Sequence, residues 1–384
     1  MTTIVVSPFD VANFPDGGGH FWVYMQYAQG LRRLGCDVYW LEQFRHGKDR
    51  DRDARAMATF LARMERFDMS DRVLLYTIGD GEDRRIDYVG VSAAQAQGVL
   101  RRADLVLNFH YAIDPRLLAC ARRTALVDID PGLTQTWMST GALRVPPHDV
   151  YFTIGETVGT PAARFPDCGV RWLPIHPPIC LELWPYVYDA RSEAFTTVAG
   201  WWSGKWIKAI EEGKEVLYDN NKRVAFLEYA ALPTMTTQPL ELALLLADGD
   251  VEDRCLLERR RWRIQDAREV ASTPERYQAY IQGSRGEWSC AKPYFVKLQN
   301  AWVSDRTVCY LASGKPAVVQ HTGPSSYLPH GEGMFRFSTL EGAAAALDAI
   351  NTDYERHCRA AREIAAAHFD ATQILARVLS EALP

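Results

Sequence analysis

His20 directly follows three glycines, Gly17, Gly18 and Gly19, in the stretch PDGGGHFWVYMQYAQGL. An imidazole titrates near neutrality, so it can take the proton of a hydroxyl while that oxygen attacks an electrophile. A carboxylate on the second ring nitrogen would fix the tautomer and stabilise the imidazolium. The segment VDID supplies two such carboxylates, Asp128 and Asp130, and His110 is a rival base or a group that touches an acceptor. The glycines have two plain uses: turn geometry at positive φ, or a close approach of something to the backbone. A dinucleotide fingerprint is a third reading. Glu42 stands where its acidic residue would fall, but G-G-G-H lacks the G-x-G-x-x-G spacing.

The elements around these residues are readable. TIVVS at 3–7 is a strand, and Phe21, Tyr24, Met25, Ala28, Leu31 and Leu34 recur at helical spacing before Gly35. Short β-rich runs follow at 36–42, 72–78, 103–110, 124–130 and 150–155, with helical runs at 21–34, 52–67 and 93–102. Apolar strands alternating with helices predict a doubly wound parallel sheet, with Asp128 and Asp130 at its ligand-binding edge. The proline-rich LPIHPPICLELWP at 173–185 breaks this rhythm and ends a first domain. A second α/β unit then opens with strand candidates at 195–201, 222–229 and 261–267. STPERYQAYIQG predicts a helix with Ser272 and Glu275 as a capping box, Ser304 caps another helix ending near Gly314, and PAVVQ is the strand after it.

Composition narrows the partners. At 384 residues, 47% apolar and 24% charged, the chain has the make-up of a two-domain globular protein. A net charge of -5 gives no electrostatic ground for a nucleic-acid partner. There is no secretory signal pattern and no apolar run of membrane-spanning length, so a cytoplasmic location is expected. Eight scattered cysteines without C-x-x-C or Cys/His spacing read as reduced thiols and not as a zinc site.

Two segments resemble the GT-B glycosyltransferases, whose two Rossmann-like domains face each other across a cleft. DGGGHFWVYMQYAQGLRRLGCDVYWLE resembles the family's opening, and SDRTVCYLASGKPAVVQHTG resembles its donor-site segment. The likeness spans nearly the whole chain. It implies an acceptor domain at 1–178, a nucleotide-sugar donor domain at 190–369, and a last helix at 370–384 packed back on the first domain. E-x7-E glutamates would fall near Ala301 and Cys309, and this chain has neither.

The resemblance assigns roles. The helix starting at Ser304, Asp305 and Arg306 would hold the donor diphosphate at its N-terminus, so that no metal or cofactor is needed. Gly200, Gly204 and Lys205 would approach it from the other side, and Arg285, with Glu287 and Lys292, would touch base, ribose or phosphate. His20 would be the general base of an inverting transferase, with Asp128 as its orienting partner, and Asp130 and His110 would meet the acceptor. In retaining members Gly18 and Gly19 would instead let backbone amides reach the donor. The implied activity is hexosyl transfer from a nucleotide-sugar to a small-molecule or glycan acceptor. A sugar-nucleotide epimerase of the UDP-N-acetylglucosamine type and a catalytically silent GT-B-like binding protein are the alternatives.

Overall fold

The first strand, TIVVS, is buried at every position, as a strand covered on both faces must be. The computed structural model describes all residues except 80, 82, 203–205, 212, 213 and 384. Eight strands run through the first half: β1 (Thr3–Ser7), β2 (Asp37–Gln43), β3 (Val73–Ile78), β4 (Ile86–Val89), β5 (Leu105–Asn108), β6 (Thr124–Asp128), β7 (Val150–Thr153) and β8 (Trp172–Pro174). They form one sheet in the order β4-β3-β2-β1-β5-β6-β7-β8, parallel except for the β3/β4 pair. Between them lie α1 (Gly18–Arg33), α2 (Arg50–Arg66), α3 (Ala93–Arg102), α4 (Pro115–Leu118) and α5 (Leu133–Ser139). The strand order reverses at β1, which makes the loop after Ser7 the place where a ligand fits.

The second sheet is parallel throughout, in the order β13-β12-β9-β14-β15-β16. Its strands are β9 (Phe195–Gly200), β12 (Leu240–Leu245), β13 (Arg263–Asp266), β14 (Gly286–Ser289), β15 (Ala317–Gln320) and β16 (Met334–Phe337). Between β9 and β12 the chain makes an antiparallel hairpin, β10 (Trp206–Glu211) and β11 (Lys214–Asp219), outside the sheet. The helices of this half are α6 (Lys222–Glu228), α7 (Val251–Arg259), α8 (Ala267–Val270), α9 (Pro274–Gly283), α10 (Pro293–Leu298), α11 (Asp305–Ala312) and α12 (Leu340–Thr352). Helices α13 (Tyr354–His368) and α14 (Ala371–Ala382) complete the chain.

Three local expectations change. KRVAFLEY is helix α6 and not a strand: Phe226 and Tyr229 meet the rings of Trp201 and Trp288, with Phe226 5.8 Å from Trp288. Contacts at that spacing need a helix, and the neighbouring strand is supplied by Leu240–Leu245 instead. Helix α9 is capped by Thr273, whose hydroxyl accepts the Arg276 N–H at 3.2 Å, one residue later than the Ser272 box. Strands β4, β8, β10, β11 and β16 are additional.

The chain crosses between the sheets twice, and the crossings run side by side. The Ile179 N–H donates to the Phe369 carbonyl at 2.7 Å, and the Ala371 N–H donates to the Ile179 carbonyl at 3.0 Å. Helix α14 then packs on α1, where Gly30 leaves room for Leu375 and Ala371. One apolar core runs from Ile4 and Val6 through Phe21 and Leu31 to Tyr277, Val308 and Leu375, so both domains share it. All eight cysteines are free thiols. Among the described residues no helix is long and apolar enough to cross a membrane.

Candidate active site

The switch points of the two sheets meet across a cleft. On the first side, His20 stands in the opening turn of α1, half-buried, with its ring edge-on to Tyr24 at 5.2 Å. Its Nε2 lies 2.7 Å from the Phe9 carbonyl. A carbonyl can only accept, so Nε2 carries the proton and Nδ1 keeps its lone pair. Burial holds the imidazole pKa below its usual value, against the opposing pull of the Phe9 carbonyl, Asp10, Asp305 and Asp130.

Asp128 is not the group that orients His20. Its buried carboxylate accepts from the hydroxyls of Thr134 at 2.7 Å and Thr153 at 2.9 Å and from the Gln135 amide at 2.9 Å. Burial raises its pKa despite these bonds. Among the described residues no hydrogen bond joins it to His20. Asp128 therefore shapes the loop after β6, and the Phe9 carbonyl occupies the orienting position. Asp130, two residues on, reaches across the cleft to Lys292 at 3.4 Å.

The glycines before His20 have a different neighbour from the one expected. The Gly18 N–H donates to the Ala271 carbonyl at 3.2 Å, and a Cβ on Gly18 would lie 2.3 Å from the Thr273 carbonyl oxygen. A Cβ on Gly19 would lie 2.8 Å from the Tyr277 ring. What comes so close to the turn is the backbone of the second domain. Trp22 seals the same contact through Nε1 to the Pro274 carbonyl at 2.9 Å.

On the second side, the Ser304 hydroxyl caps α11 by accepting the Arg306 N–H at 3.3 Å. Asp305 opens the helix toward Lys222 and His20, and burial raises its pKa. Arg306 turns away from the cleft. Its guanidinium, 7% exposed, pairs with fully buried Glu287 at 2.7 Å and donates to the Val198 carbonyl at 2.8 Å. Arg285 precedes β14, at the end opposite the cleft, where it bonds Asn351 and the Ser192 carbonyl and covers the Tyr354 ring at 3.8 Å. It anchors the linker instead of a donor. Gly200 ends β9 in the open, with nothing closer to a Cβ position than the Trp202 carbonyl oxygen at 3.9 Å. Gly204 and Lys205 lie outside the described residues.

The sequence reading missed Lys222. It starts α6, has no hydrogen-bond or ion-pair partner among the described residues, and has Arg306, Lys292, Asp305 and Glu287 as electrostatic neighbours. Burial first, and then the positive charges of Arg306 and Lys292, pull its pKa down to about 7. Arg306 and Lys292 have carboxylate partners, Glu287 and Asp130, whereas Lys222 has none among the described residues. The signal was present as a lysine at the start of the first helix of the second half, after the β10/β11 hairpin, but the strand assignment concealed it. Among the described residues no cluster of three His, Cys, Asp or Glu side chains could hold a metal ion.

No protein-family model and no curated protein matches the sequence. Solved structures do match over the whole chain, and they establish the GT-B fold. An alpha-glucosyltransferase in complex with UDP is 10% identical, with 99% of each chain covered and a TM-score of 0.63. HepE of Anabaena in complex with UDP-glucose is 13% identical over 99% of this chain and 100% of that one, with a TM-score of 0.59. AviGT4, a glycosyltransferase involved in avilamycin A biosynthesis, is 14% identical over 99% and 97%, with a TM-score of 0.54.

Proposed function

We propose that the protein is a glycosyltransferase that moves a hexosyl group from a uridine diphosphate sugar to an acceptor held by the first domain. The observation that carries this is Lys222, a half-buried cation with no hydrogen-bond or ion-pair partner among the described residues, whose electrostatic neighbours include Asp305 at the N-terminus of α11. A helix N-terminus and a spare ammonium are together suited to a diphosphate, and they supply positive charge without a metal. UDP is the favoured diphosphate because the alpha-glucosyltransferase and HepE structures of the same fold hold it or UDP-glucose.

In the transfer, the acceptor oxygen bonds to the anomeric carbon as the anomeric C–O bond to phosphate breaks, and that electron pair leaves with UDP. His20 Nδ1 takes the acceptor proton, and the Phe9 carbonyl holds the ring in the tautomer that leaves this nitrogen free. In this reading the Asp305 carboxylate accepts hydrogen bonds from hydroxyls of the bound sugar. An open cavity lined by Phe9 and Tyr24, both in contact with His20, makes room for a second substrate, which an epimerase does not need. A thermal-shift comparison of UDP, GDP, TDP and ADP tests the assignment: UDP should raise the melting temperature most. No stabilisation by any of the four would overturn it.

A further inference from the structure

Next to His20, at the edge of the first sheet, lies a cavity of about 620 Å³. Its walls are aromatic and aliphatic: Phe9, Tyr111, Ile129, Trp137 and Leu143. The second domain completes it. Hairpin strand β10 brings Lys208 to its rim, while Ile207 and Ala209 of the same strand pack with Leu133 of α5 and Leu298 of α10.

The polar groups that reach this space carry almost no net charge into it. His110 is neutral at physiological pH, since burial pulls its pKa down to about 4. Asp130 is paired with Lys292 at 3.4 Å, and Lys208 with Glu215 at 2.6 Å. A phosphodiester chain needs unpaired cations, and Lys208, the cation lining the cavity among the described residues, is paired with Glu215. The cavity volume lies in the range of sites that enclose a drug-sized molecule, roughly 300–1,000 Å³.

We propose that this cavity takes a neutral aromatic alcohol or phenol of small-molecule size as the acceptor, with its hydroxyl presented to His20. The proposal rests on the transferase reading of the cleft. It adds that the apolar body of the acceptor is held by Phe9, Tyr111 and Trp137. Tyr24 and Phe9 line the cavity and both contact His20, Tyr24 through its ring at 5.2 Å and Phe9 through its carbonyl at 2.7 Å, so the acceptor hydroxyl is presented on that side.

Calorimetry with 2-naphthol, maltotriose and a short single-stranded DNA, each titrated into the full chain saturated with UDP, tests it. We expect 2-naphthol to bind, and Trp137→Ala to weaken it by about tenfold or more. Ala112→Trp fills the cavity from an exposed position, and it should abolish 2-naphthol binding while UDP affinity stays unchanged. Binding of maltotriose or DNA in place of 2-naphthol, or 2-naphthol binding indifferent to both variants, would overturn the proposal and leave the transferase reading standing. If UDP itself does not bind, both fall.

Discussion

The amide of Gly18, at the start of α1, donates to the carbonyl of Ala271 in the other domain at 3.2 Å, and the Thr273 carbonyl stands where a Cβ would go. The glycine is therefore a domain contact built of backbone on both sides. Backbone cannot move aside as a side-chain tip can, so Gly18→Ala should destabilise the protein by about 1–3 kcal/mol. Gly19→Ala meets only the Tyr277 ring, which can turn, and should cost less. Denaturant unfolding of the two variants beside the wild type checks the order.

Arg306 and Glu287 form an ion pair sealed inside the second domain. Removing one partner strands the other charge, so Arg306→Ala should lose about 3–5 kcal/mol of stability. Arg306→Met combined with Glu287→Leu should recover most of that loss, because neither charge is then left buried. The melting temperatures of the single and double variants decide this.

The doubly wound first domain was legible because short β-rich runs, such as TALVD of β6, alternate with helical ones, and β6 is buried at every position as a strand covered on both faces must be. The glycine turn was legible as a close approach, but its occupant was not. Ala271 and Thr273 come from a segment some 250 residues further along the chain, and local pattern says nothing of such a partner. Arg285 and Lys292 look alike in sequence as loop cations flanking one strand. Only the direction of β14 separates the end that faces the cleft, with Lys292, from the end that does not. Lys222 was lost for a further reason. A run such as VAFLEY suits a strand or a helix equally, and the choice is made by packing on Trp201 and Trp288.

In the proposed transfer His20 acts as the base through Nδ1, since its Nε2 is engaged by the Phe9 carbonyl. Its pKa lies below the usual 6.5, so the neutral, competent form already dominates at pH 7. We expect kcat/KM to rise with pH through one acidic ionisation and then stay level through neutrality. His20→Ala should cost about a hundredfold or more in turnover, remove that ionisation, and leave UDP affinity nearly intact. Proton NMR of the product should show inversion at the anomeric carbon. Retention would make His20 a positioning group.

Proton uptake provides a separate check on the donor site. With a pKa of about 7, Lys222 is mostly neutral at pH 8 in the free protein, and a diphosphate beside it favours the charged form. UDP binding at pH 8 should therefore take up protons, and affinity should fall as pH rises above 7. Calorimetric enthalpies in buffers of different ionisation heat measure the uptake, and Lys222→Met should remove most of it.

The most direct measurement is the affinity for UDP of wild type and of Lys222→Met at pH 7. The substitution removes a half-buried cation that has no hydrogen-bond or ion-pair partner among the described residues, so the variant should melt no lower than the wild type. Loss of one charge-assisted contact of about 1.5–3 kcal/mol should weaken UDP binding by roughly ten- to a hundredfold. A folded Lys222→Met protein that binds UDP as tightly as wild type would contradict the placement of the donor diphosphate between α6 and α11.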